Sequence, residues 1–146
     1  MKPKTYRRAI FIVTYARTKQ GIKYLILKRK LHWVGWEFPK GGKRIYETNK
    51  RTVKRELKEE TGLKVLKIKK FDFSGKYKYD KAYKGREKFI GQSFSLYAVE
   101  VDKRKVKIDN EHSDYKWEGF REAVKKLKWD NQKKSLRIVN KWLLSD

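Results

Sequence analysis

The chain has 146 residues, close to the size of one catalytic domain, and is expected to form a single domain over residues 1–146 with one core. It carries 41 Lys and Arg against 17 Asp and Glu, a formal charge of +24 spread along its length, which favours polyanionic partners such as nucleotides and nucleic acid. A lysine-rich habit can also reflect source-organism composition, so charge alone names no substrate. There is no cysteine, which excludes disulfides. No apolar run is long enough for a membrane span, and the basic Met1–Lys4 start leads into an alternating segment. Neither a signal peptide nor a membrane partner is expected, and a cytoplasmic location is.

In chain order, Arg8–Ala16 and Ile22–Lys28 are β-rich runs separated by the turn-forming Arg17–Gly21, which predicts a hairpin. Leu31–Gly42, with its aromatics, proline and glycines, suits a loop and a short strand. A helix is expected from about Thr48 to Thr61. Lys64–Ser74 and Lys88–Val101 read as strands joined by a lysine- and tyrosine-rich connection over Gly75–Gly85, and Tyr115–Trp117 as one more short strand. Phe120–Leu127 and Asn131–Leu144 have helical spacing, the latter with Leu136, Val139 and Leu143 on one face.

The helix over Thr48–Thr61 carries the most chemistry. At about 100° per residue, Glu56, Glu60 and Glu59 lie near −60°, −20° and −120° from Val53 and share one edge. Val53 and Leu57, one turn apart, form the adjacent apolar stripe that packs the helix on a sheet. Clustered carboxylates raise one another's pKa unless a cation or a guanidinium neutralises them, and Arg55 stands four residues before Glu59. An oxygen-only ligand set favours Mg²⁺, with Mn²⁺ as a substitute.

An ordinary solvated helix would carry the same charges, but the full spacing decides against it. Gly41, then Glu47, then Arg55-Glu56-Leu57-Lys58-Glu59-Glu60-Thr61-Gly62-Leu63 resembles the Nudix hydrolase signature at every defined position. Seven fixed residues and two apolar ones match by chance on the order of 10⁻⁹ per start. The flanks Trp36–Gly41 and Glu111–Trp117, with the closing Glu122-Ala123 and terminal helix, resemble diadenosine tetraphosphate hydrolases and RNA pyrophosphohydrolases. The resemblance implies an α/β/α sandwich with a mixed β-sheet between helices. It implies Glu56, Glu59 and Glu60 as metal ligands, Arg55 as the group orienting them, and Glu47 as a salt-bridge partner. Glu111 matches a glutamate that joins the metal site in relatives with this flank, and the general base falls among Glu59, Glu60 and Glu111; His112 is the weaker catalytic candidate. Gly41 permits close approach of the loop, and Gly62 can end the helix at positive φ.

For substrate contacts, Lys40 beside the Gly41-Gly42 turn can meet a phosphate, and Lys78, Lys84, Arg86 and Lys88 supply further cations. Trp33, Tyr77, Tyr79 and Tyr83 are loop aromatics able to stack on bases. Ile90-Gly91-Gln92 resembles an RNA pyrophosphohydrolase segment beside the phosphate site. The resulting expectation is hydrolysis of phosphoanhydrides in nucleoside diphosphate-linked compounds, foremost asymmetric cleavage of diadenosine tetraphosphate (Ap4A) to ATP and AMP, by a monomer or homodimer. The alternative is RNA 5′-pyrophosphohydrolysis acting on an RNA 5′ end, and a more distant one is a nucleic-acid-binding module with a vestigial motif.

Overall fold

The computed structural model describes residues 5–81, 83 and 86–145; Met1–Lys4 and Lys84 lie outside the described residues. Alternation sets the centre of the fold. Strand β1 (Thr5–Thr18) sends Phe11, Val13 and Tyr15 to one apolar cluster and Ile10, Ile12 and Ala16 to the other, so both faces of the sheet need a cover. The expected hairpin forms with β2 (Gly21–Arg29), closed by Gly21 at φ 99° and by the Thr18 hydroxyl, which accepts from the Gln20 N–H at 3.1 Å.

Two short strands, β3 (Gly35–Glu37) and β4 (Lys40–Gly42), follow where one was expected. Then come α1 (Asn49–Thr61), β5 (Lys67–Lys78), β6 (Phe89–Glu100), β7 (His112–Glu118), α2 (Phe120–Lys126) and α3 (Asp130–Leu144). The sheet order is β3-β2-β1-β6-β5, with β4 paired to β1 and β7 to β2. β1 and β6 run parallel while the other pairs are antiparallel, which makes the sheet mixed.

Helix α1 starts where Thr48 caps it, its hydroxyl accepting from the Arg51 N–H at 3.3 Å, and stops at Gly62, whose φ of 74° few other residues tolerate. Val53 and Leu57 bury its apolar stripe with Ile10, Ile12, Leu25 and Val99. Leu136, Val139 and Leu143 of α3, with Ala123 of α2, cover the opposite face. The sandwich therefore holds α1 rigidly against β1 and β4, at the level where its acids meet the Lys40–Gly42 strand. No helix among the described residues is long and apolar enough to cross a membrane.

Strand β5 runs on through Lys78, where the sequence pattern predicts a connection from Gly75. Phe71, Phe73 and Tyr77 pack on the α3 side, and a Cβ at Gly75 would press on the Phe94 ring, so this glycine admits a close neighbour and does not break the strand.

Because Leu57 is fully buried between helix and sheet, Leu57→Ala is expected to lower unfolding free energy by about 2–5 kcal/mol in urea denaturation. A loss below about 1 kcal/mol would mean that α1 is not anchored through this stripe.

Candidate active site

Arg55 ties three segments together. Its Nε donates to Glu47 Oε2 at 2.6 Å and its Nη2 to Glu47 Oε1 at 2.8 Å and the Gly42 carbonyl at 2.9 Å. Its Nη1 donates to Glu56 Oε1 at 2.6 Å and Glu59 Oε2 at 3.3 Å. Loop, strand β4 and helix are thus fixed by one planar donor set. Glu47 also accepts from the Thr52 hydroxyl at 3.1 Å and the Arg44 N–H at 3.0 Å; the Arg55 hydrogen bonds chiefly hold its carboxyl at about 2. A Cβ on Gly41 would overlap the Glu56 carboxyl, and one on Gly42 would overlap the Arg7 guanidinium, so the double glycine lets both side chains lie against β4.

The helix acids do not stand equally. Glu56 and Glu59 line a polar pocket of about 320 Å³, together with Arg7, Arg29, Arg44 and Arg86. Glu60 is buried behind them, its Oε2 accepting the Lys40 N–H at 3.0 Å. Burial raises the Glu60 carboxyl well above the ordinary range, and the charges of Glu56, Glu37, Asp109 and Glu111 push it the same way. Burial raises Glu56 as well, against the pull of Arg55. Carboxylates crowded this way call for a compensating cation.

Glu111 lines the same pocket, its Oε2 3.6 Å from Arg29 Nη1. Beside it, Glu60, Asp109 and His112 each bring one potential ligand atom within 4.8 Å of the others. His112 has both ring nitrogens engaged, Nδ1 with Asp109 Oδ1 at 2.6 Å and Nε2 with Glu37 Oε2 at 3.0 Å. Burial alone would lower its pKa, but the two carboxylates outweigh burial and raise it. The acids, not the imidazole, are therefore available to a hard cation, and the donor set fits Mg²⁺ or Mn²⁺.

Glu37 collects charge from several directions. Fully buried, it pairs with Arg29 Nη1 at 3.2 Å and Lys40 Nζ at 3.7 Å, and accepts from Trp33 Nε1 at 3.3 Å as well as from His112. Burial would raise its carboxyl, but Lys40, His112 and Arg29 overcome that and hold it at about 2. Arg29 and Lys40 lie over the Trp33 ring at 4.4 and 4.5 Å.

Lys40 also lines a second, largely aromatic cavity of about 350 Å³ with Trp33, Tyr77, Tyr79, Tyr83 and Trp129. Trp33 meets Trp129 and Tyr83 edge-on, at 5.9 and 6.0 Å between centroids. Of the other expected contacts, Lys78 lines this cavity and Arg86 the polar one. Gln92 is buried behind them, its Oε1 accepting from Arg7 at 3.1 Å and Tyr79 at 3.4 Å. Lys88 lines neither cavity; it is exposed, with Nζ 5.3 Å from the Phe89 ring. The sequence alone assigns no role to Arg7, Arg29, Glu37, Asp109 and Trp129. Glu37 and Asp109 have one usable signal: Glu37 lies within the Trp36–Gly41 segment that resembles the family, and Asp109 two residues before the Glu111–Trp117 segment.

A mixed sheet between helices, with an arginine-locked glutamate helix behind a double glycine, defines a pyrophosphohydrolase of the Nudix class. The NUDIX domain family model matches residues 5–138, and the chain belongs to that family. No curated protein matches the sequence. Among solved structures, the C. elegans Ap4A hydrolase in a binary complex is 22% identical, with a TM-score of 0.76 over 96% of this chain and 99% of that one. The NUDIX domain of Shewanella oneidensis NrtR, complexed with ADP ribose, is 18% identical, with a TM-score of 0.77 over 98% and 90%. The E. coli dihydroneopterin triphosphate pyrophosphohydrolase is 20% identical, with a TM-score of 0.71 over 91% and 95%. At these identities the likeness fixes the fold and leaves the substrate open.

Glu37 supplies a pH test. Its folded-state pKa is depressed to about 2 from 4.5, so its stabilisation is complete above pH 4.5 and disappears as pH falls toward 2. Glu37→Gln should cost about 3 kcal/mol at pH 7, and the gap to wild type should close between pH 4.5 and 2 in urea titrations. A gap independent of pH would show that the Glu37 charge is not what matters.

Proposed function

We propose that this chain, acting as one domain over residues 1–146, is a metal-dependent hydrolase of phosphoanhydrides in nucleoside diphosphate-linked compounds. The leading substrate is diadenosine tetraphosphate, cleaved asymmetrically to ATP and AMP in the cytoplasm by a monomer or homodimer. The observation that carries this is the junction at Lys40: a charged cavity on one side and an aromatic one on the other, sized for phosphates and a base respectively. The Ap4A hydrolase likeness and the flanking motifs support the choice of substrate.

Glu56, Glu59, Glu60 and Glu111 would hold Mg²⁺ or Mn²⁺, with Arg55 fixing the helix acids and Glu47 fixing Arg55. When bound, the metal neutralises phosphate oxygens and lowers the pKa of bound water. Arg7, Arg29 and Lys40 face the phosphate chain, Gly41 keeps the strand close to it, and Tyr77 and Tyr83 flank the base. Glu59 and Glu111 reach the solvent side of the pocket, where an attacking water enters, and either one can take its proton.

RNA 5′-pyrophosphohydrolysis is the second reading. It is favoured by Gln92, whose amide holds Arg7 in the charged cavity, and by the +24 charge. In magnesium, a panel of diadenosine tetraphosphate, triphosphorylated RNA, nucleoside diphosphate sugars and nucleoside triphosphates should show fastest turnover of the first, with ATP and AMP identified by mass. Glu59→Gln and Glu60→Gln should each lower kcat by at least about 100-fold while the circular dichroism spectrum stays unchanged. Full activity in both variants would refute the site, and tight RNA binding without hydrolysis under any divalent metal would make the chain a binding module.

A further inference from the structure

The helix α1 leaves part of its own sheet face uncovered, and that part is built unlike the rest. Neighbouring strands align Arg8, Ser93 and Lys76 in one row and Ile10, Ser95 and Ser74 in the next. With Lys43 and Asn49, these residues line a groove of about 390 Å³ that contains no carboxylate among its described lining. Elsewhere on this face the sheet presents apolar side chains to α1. Among the described residues Arg8, Lys43 and Lys76 form no ion pair, whereas Arg44, next to Lys43, pairs with Glu59 at 3.8 Å. Three cations outside any ion pair flank the hydroxyls of Ser74, Ser93 and Ser95, of which Ser93 donates to the Arg7 carbonyl at 3.5 Å, and together they form a carboxylate-free surface that suits phosphate oxygens.

A second observation concerns bases. The loop joining Lys43 to Asn49 carries Ile45 and Tyr46, which are 89% and 94% exposed. Nothing in the core uses them. Lys76 Nζ also lies over the Tyr6 ring at 4.9 Å, which holds this groove cation beside a second aromatic side chain. Cations that follow a backbone, together with an exposed aromatic ring such as Tyr46, are the elements of single-strand nucleic-acid binding. The groove lies immediately past the charged cavity along the chain, since Gly41 and Gly42 line that cavity and Lys43 lines the groove.

We propose that this groove binds the phosphodiester backbone of single-stranded RNA, with Tyr46 stacking on a base, at a site separate from the catalytic pocket. The occupant is chosen on charge complementarity and on the exposed tyrosine. It does not depend on which small substrate the enzyme cleaves.

The test is fluorescence anisotropy with a labelled single-stranded RNA bearing a 5′-hydroxyl, in EDTA, so that neither metal nor a 5′ polyphosphate contributes. Arg8→Glu with Lys76→Glu should weaken binding at least about tenfold and flatten its salt dependence. Lys134→Glu with Arg137→Glu, the same charge change on exposed α3 positions across the sheet, should weaken it less than about twofold. Tyr46→Ala should weaken RNA binding without weakening binding of inorganic polyphosphate. Arg8→Ala with Lys76→Ala repeats the test without introducing acids. Circular dichroism shows that each variant is folded, and the binding readout needs no turnover. Equal losses in the two charge-reversed pairs would overturn the proposal, as would a wild-type protein that binds only RNA carrying a 5′ triphosphate. So would a Tyr46→Ala protein that loses polyphosphate as readily as RNA.

Discussion

Like-charge crowding around Glu60 is the constraint on which the site depends. Glu37, Glu56, Asp109 and Glu111 all act on one carboxylate that is itself out of water. Such a cluster costs free energy in any fold unless each member has a partner. The chain solves most of this with fixed cations: Arg55 for Glu47, Glu56 and Glu59, and Arg29, Lys40 and His112 for Glu37. Glu60 is the exception. Its carboxylate accepts from a neutral backbone N–H, that of Lys40, so it is the acid most in need of a charge from outside the protein.

The same compensating groups build the walls of both cavities. Arg29 neutralises Glu37, lies near Glu111 and stacks on Trp33, so one side chain spans the acid cluster and the aromatic cavity. Lys40 does the same from β4, where burial lowers its pKa to about 8 against the opposing pull of Glu37. A change that loosens Glu37 therefore moves a phosphate-facing cation and an aromatic wall together. Phosphate and base contacts are mechanically coupled because they share one buried anion.

What the sequence makes legible is whatever a short period or a fixed spacing encodes. Glu56, Glu59 and Glu60 are visible because a helix converts spacing into a shared edge, and β1 is visible because its apolar residues alternate. The depth of each acid is not visible in this way: only packing of α1 against β4 sends Glu60 inward and leaves Glu59 half exposed. Arg7, Arg29, Glu37 and Asp109 come from four separate elements, and only the tertiary fold brings them together. Gly75 misleads for a related reason. Read locally it ends a strand, yet across the sheet it makes room for Phe94.

The chain carries a net charge of +24, and the polar cavity beside the Lys40–Gly42 strand mixes both signs, with Glu56, Glu59, Asp109 and Glu111 set among Arg7, Arg29, Lys40, Arg44, Arg55 and Arg86. The long-range field draws polyanions in, and within the cavity the arginines and Lys40 attract phosphate oxygens while the carboxylates oppose them. On the proposed function the two signs divide the work: lysines and arginines would steer and contact phosphate, and the carboxylates would hold the divalent cation. Without the metal, the fixed cations would still attract phosphate while the carboxylates would lack the ion that offsets their charge.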